Sequence, residues 1–91
     1  MIHARNDYQR IQDPETKIPQ DEPVFLLRAQ DITSGPTLRH WIKLNKAALK
    51  ADKKAKAISE EEAARRQKAI VLAEAHAYRM EEWQPKKAAD V

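Results

Sequence analysis

The chain has 91 residues, no cysteine and one glycine. Those counts exclude a disulfide scaffold, a Cys-ligated zinc site, an iron–sulfur cluster, a thiol nucleophile and the Gly-rich loops that cradle nucleotide phosphates. Charged residues make up 34% against 5% aromatic, and the formal charge of +3 permits an anionic partner without demanding one.

Residues 1–20 read as an irregular N-terminal arm. The opening residues lack an apolar stretch of the kind a secretory signal uses, so none is expected. Pro14 and Pro19 each push the preceding residue out of the helical region, so no long helix crosses the arm. A short turn of helix around Asp7 to Ile11 is expected at most.

A helical domain is expected over 21–84. Asp21 is an N-cap candidate before Glu22-Pro23 and the apolar run Val24-Phe25-Leu26-Leu27, which predicts a short helix over 22–30. That run is the longest apolar one in the chain and is too short to span a membrane. Asp31 to Pro36 is the clearest loop, with Ser34 placed to cap and Pro36 suited to a first helical position.

The second predicted helix covers 36–56, with Leu38, Trp41, Ile42 and Leu49 forming a stripe at helical spacing. Ser59 with Glu62 three residues on is a capping-box pattern. It opens a third helix over 59–84 that carries Ala63, Ile70, Ala73, Ala77 and Met80 on one face. Glu61–Arg65 and Glu62–Arg66 pairs are available at i,i+4. Pro85 ends that helix, and 85–91 is expected to be a flexible tail. The predicted fold is all-α: a short N-terminal helix followed by two long antiparallel helices, with no sheet, because nowhere does apolar character alternate with period two.

The apolar faces are rich in alanine, which favours helix but contributes little burial. A chain this short buries only about 60–65% of its unfolded surface. A homo-oligomer is therefore expected, since self-association supplies the missing burial.

No enzyme signature is present, and no cofactor or metal is expected. The histidines show no HExxH spacing, Ser34 and Ser59 are explained as caps, and Glu60-Glu61-Glu62 suits the positive end of a helix dipole. The basic residues are more informative. Arg28, Arg39 and Lys43 bracket the Thr33-Ser34-Gly35-Pro36 loop, where helix-start amides and hydroxyls suit a phosphate. Tyr8 and Trp41 offer rings on which a base can stack. The plainer alternative has Arg28 and Arg39 solvated or paired with Glu22, Asp31 or Glu82, and Trp41 in the core. Lys50 to Lys56 reads as a solvated helix end.

Three segments carry a resemblance: Ile18-Pro19-Gln20-Asp21-Glu22-Pro23-Val24-Phe25-Leu26-Leu27-Arg28-Ala29-Gln30-Asp31, then Leu38-Arg39-His40-Trp41, then Arg79-Met80-Glu81-Glu82-Trp83. Together they cover about a third of the chain, and they resemble the small phage-encoded anti-CBASS sponge proteins. The resemblance implies a compact helical homohexamer in the cytoplasm of the infected bacterial host. It implies binding of cyclic di- and trinucleotide second messengers without cleavage, which starves an antiviral effector. It places ligand contacts at Tyr8 or Lys17, at Thr33 and Ser34 and at Arg79, which join Arg28 and Arg39, the candidates read from the loop itself. The family's aromatic position is occupied here by Lys17, and the basic position after Asp31 by Ile32. Two other readings stand beside it. One is a DNA-binding regulator using Thr37, Arg39, His40 and Lys43, although Trp41 and Ile42 in mid-helix and the modest net charge make duplex DNA the less expected partner. The other is a helical-hairpin adaptor for a host protein.

Overall fold

A computed structural model describes residues 1–4 and 13–88. The architecture is a helical hairpin with a strap. In chain order the elements are β1 (Ile2–His3), β2 (Pro23–Val24), α1 (Ser34–Lys54) and α2 (Glu60–Glu82). The two helices, 21 and 23 residues long, pack side by side and form the largest contact between elements. The core lies between them: Ile42 and Leu49 from α1 meet Ile70 and Ala77 from α2, with Leu38, Ile58, Ala63 and Ala73 packed around this cluster. Met80 is buried as well. The periodic stripes read from the sequence are thus the faces that pack.

The predicted helix over 22–30 does not form. Pro23–Val24 instead pairs in parallel with Ile2–His3, Ile2 opposite Pro23 and His3 opposite Val24, and the Ile2 amide donates to the Glu22 carbonyl at 2.7 Å. A two-turn helix is marginal unless one face packs, and Val24-Phe25-Leu26-Leu27 presents no single face. Pro23 is compatible with the start of an edge strand. The expectation of no sheet is corrected in the same way, since two residues are too few to show period-two alternation. The turn expected at Asp7 to Ile11, and Tyr8 within it, lies outside the described residues.

Helix boundaries also shift. α1 begins at Ser34, not Pro36. It ends at Lys54 because Ala55 is the C-cap and Lys56 takes a left-handed conformation (φ 54°). The Lys56 amide donates to the Lys53 carbonyl at 3.1 Å and the Ala57 amide to the Asp52 carbonyl at 2.9 Å. This double bond pattern is a Schellman ending, built here without the glycine that usually marks one. At the start of α2, Ser59 caps as expected: its hydroxyl accepts the Glu62 amide at 3.0 Å.

The tail is held as far as it is described. Lys87 donates its amide to the Gln30 carbonyl at 2.6 Å and accepts the Ile32 amide at 2.9 Å. The Lys86 ammonium donates to the carbonyls of Ala29 (2.7 Å) and Met80. Pro85 stops α2, and the chain after it turns back onto segment 29–32. The expectation of a flexible tail is therefore corrected for Lys86 and Lys87.

Candidate functional site

Asp31 dominates the loop that the sequence marked for phosphate. Its carboxylate accepts the Thr33 amide at 2.8 Å and the Thr33 hydroxyl at 2.6 Å, while its carbonyl accepts the Ser34 hydroxyl at 2.8 Å. An anion already sits at the start of α1, supplied by the chain itself. Ser34 is not the N-cap; it is fully buried inside the first turn, and Thr33 occupies the cap position without a side-chain cap bond. The two hydroxyls are thus spent on Asp31.

Arg39 is also engaged. Its guanidinium forks onto the Glu81 carboxylate (Nε 3.1 Å, Nη2 2.8 Å) and lies 4.5 Å from the centre of the Tyr78 ring. The hydrogen-bonded guanidinium holds the Glu81 carboxyl below the usual carboxylate range, and Glu81 raises the Arg39 pKa in return. The pairing alternative for Arg39 was right in kind, with Glu81 in place of Glu82. Lys17 is exposed in a turn ordered by Asp13 and pairs with Glu15 at 2.6 Å. Arg28 borders a small recess with Ala29, Gln30 and Trp83. The ion pairs on α2 differ from those expected: Arg65 meets Glu62 one turn earlier, and Arg66 crosses to Asp52 on α1 at 2.7 Å.

Arg79 has a different setting. It borders a groove of about 550 Å³ between the two helices, lined by Leu27, Thr37, Leu38, Trp41, Leu72, Ala73, Ala75, His76 and Arg79. Among the described residues the Arg79 side chain makes no ion pair or hydrogen bond. Trp41 is 45% exposed, so the alternative that placed it in the core is corrected. The alanines in the lining of the groove, Ala73 and Ala75 on α2, leave room that larger side chains would fill. Leu27, carried there by the strap, closes one wall.

The chemistry of this groove is that of an amphipathic ligand. Trp41 offers a stacking face, Thr37 and His76 offer polar edges, and Arg79 offers five donors in a planar fork. Arg79, Trp41 and Thr37 are each visible as candidates in the sequence, whereas His76 and the grouping of the four around one groove are not. The signal was present in the helical stripe, yet finding it required the register between two helices. Among the described residues no group of three or more His, Asp or Glu side chains is placed to hold a metal ion, and no helix is long and apolar enough to cross a membrane. No protein-family model, curated protein or solved structure matches the chain.

Proposed function

We propose that this chain is a non-catalytic binder that sequesters cyclic di- and trinucleotide second messengers, and so blocks CBASS-type antiviral signalling in the cytoplasm of an infected bacterium. The observation that carries this reading is the groove lined by both the exposed Trp41 and Arg79, whose side chain has no partner among the described residues. A nucleotide presents an apolar ring next to an anionic phosphate, and the groove presents a ring next to a cation. All three segments that resemble the anti-CBASS sponges contribute to its walls, Leu27 from the first, Leu38 and Trp41 from the second and Arg79 from the third, although they lie far apart in sequence.

Magnitudes favour an assembly over a lone chain. A charge-assisted hydrogen bond is worth roughly 1.5–3 kcal/mol and a stacked base roughly 1–3 kcal/mol. One groove therefore falls short of the about 8 kcal/mol of a micromolar complex, before ordering costs. Two grooves facing one cyclic ligand double the contacts. Leu44, Val71 and Leu72 are 56%, 53% and 60% exposed, apolar side chains that self-association would cover. A homo-oligomer, with the hexamer of the sponge family as the form proposed, satisfies both needs.

Isothermal titration with a panel of cyclic di- and trinucleotides, followed by recovery of the ligand, tests the reading. Micromolar or tighter binding with intact ligand is expected. No heat across the panel would remove the proposal, and recovery of linear products would make the protein an enzyme.

A further inference from the structure

Charge on the hairpin is segregated. α1 carries six basic residues against one acidic, Asp52, whereas α2 carries four against six. At about 100° per residue, Arg39, Lys43, Lys46, Lys50 and Lys53 fall within roughly 80° of arc on α1, a single basic stripe. Asp52 lies off this stripe and pairs with Arg66. Trp41 lies on the far side as well, in the groove.

The neighbouring edge of α2 answers the stripe only in part. Glu81 neutralises Arg39 and Glu74 neutralises Lys46 at 3.3 Å. Seven residues further along each helix, the third pair sets Lys53 beside Gln67, which brings no charge. There the surface hollows into a recess of about 240 Å³ lined by Lys46, Leu49, Lys50, Lys53 and Gln67. Among the described residues Lys43, Lys50 and Lys53 have no ion-pair partner.

We infer that this stripe is a docking face for the sugar–phosphate backbone of a nucleic-acid duplex, with the recess at Gln67 as its anchoring phosphate site. Lysine ammoniums and the Gln67 amide are donors suited to phosphate oxygens. Lys43 and Lys53 are about 15 Å apart along the axis, so a single phosphate cannot meet both and a chain of phosphates can. The stripe carries no free aromatic ring, since Tyr78 lies under Arg39, and single strands are held chiefly by stacking. A bilayer surface would call for large exposed apolar side chains flanking the lysines on their own helix, and the exposed ones of α1, Trp41 and Leu44, lie away from the stripe, while Leu49 beside the recess is buried. The modest net charge of the chain hides this face because the acidic residues of α2 offset it in the sum. Binding here is independent of the groove.

Fluorescence anisotropy of the full chain with a short labelled duplex, across a salt series starting near 50 mM, tests the inference. Three lysines without an ion-pair partner among the described residues predict that log K falls with log salt at a slope of roughly −2.7. The double variant Lys50→Gln, Lys53→Gln should weaken binding about tenfold or more. Gln67→Glu places a carboxylate in the recess while adding a cross-helix pair, and should weaken binding with helicity intact by circular dichroism. Absence of binding near 50 mM salt, a flat salt response, or full affinity in both variants overturns the inference. So does displacement of the duplex by millimolar inorganic phosphate at constant ionic strength, or a preference for anionic lipid vesicles over duplex.

Discussion

Arg39 and Glu81 join the two helices at the first of three registers that recur every seventh residue. Arg39 faces Glu81 at 2.8 Å, Lys46 faces Glu74 at 3.3 Å, and Lys53 takes the corresponding place beside Gln67. The core obeys the same register, since Ile42 and Leu49 are seven apart on α1 and Ile70 and Ala77 are seven apart on α2. A heptad repeat of this kind keeps one seam of each helix facing the other. The ladder closes one side of that seam. The groove with Trp41 and Arg79 opens on the other.

The first register makes stability sensitive to acid. The Arg39 guanidinium holds the Glu81 carboxyl below its ordinary value, so the folded state releases that proton more readily than the unfolded state. The contribution is complete above the ordinary glutamate range, about 4.3, and is lost as pH falls through the lower folded value. Glu81→Gln should therefore lower the melting temperature near neutral pH and flatten its decline in acid. Parallel melting curves across pH for the two proteins check this, and equal steepness in acid would refute it.

Much of the hairpin was legible in the sequence because its information is local. Ser59 with Glu62, and the spacing of Ile42, Leu49, Ile70 and Ala77, each declare themselves within one helix. What was hidden depends on partners distant in the chain. Val24 lies in a strand because Ile2 and His3 lie beside it, and nothing within 22–30 records that. Tethering of Lys87 to Gln30 and Ile32 is equally non-local. At the site, Trp41 fitted the apolar stripe well enough to pass for core, and only the small alanines across the seam leave it half exposed. Asp31 was read as part of a loop, whereas its carboxylate occupies the anion position that the hydroxyls of Thr33 and Ser34 had seemed to offer.

Lys56 is a point where the chain can be improved. It holds a left-handed conformation at the position after the α1 C-cap, a geometry that costs a residue with a Cβ roughly 1–2 kcal/mol and glycine almost nothing. The greater entropy of glycine in the unfolded chain takes back part of that gain. Lys56→Gly should stabilise the protein by about 1 kcal/mol, which in a domain of this size raises the melting temperature by roughly 4–8 °C. A fall in melting temperature would show that the Lys56 side chain contributes more than the strain removes.

The two candidate ligand-binding arginines on the helices, Arg39 and Arg79, should behave differently because one is already paired. Arg39 must leave Glu81 before it can meet a phosphate, while Arg79 is open in the groove. A charge-assisted bond of roughly 1.5–3 kcal/mol corresponds to about tenfold or more in affinity. Arg79→Ala should thus weaken cyclic-nucleotide binding by at least about tenfold, and Trp41→Ala should weaken it by a comparable factor through lost stacking, with helicity kept in both. Arg39→Ala should act first on thermal stability, because it leaves the Glu81 carboxylate without its fork. Thr33→Ala should leave affinity nearly unchanged, since that hydroxyl serves Asp31. Titration calorimetry on the four variants, with circular dichroism as the control for folding, separates a ligand site in the groove from one at the start of α1. Strong loss in Thr33→Ala together with full affinity in Arg79→Ala would move the site back to the loop.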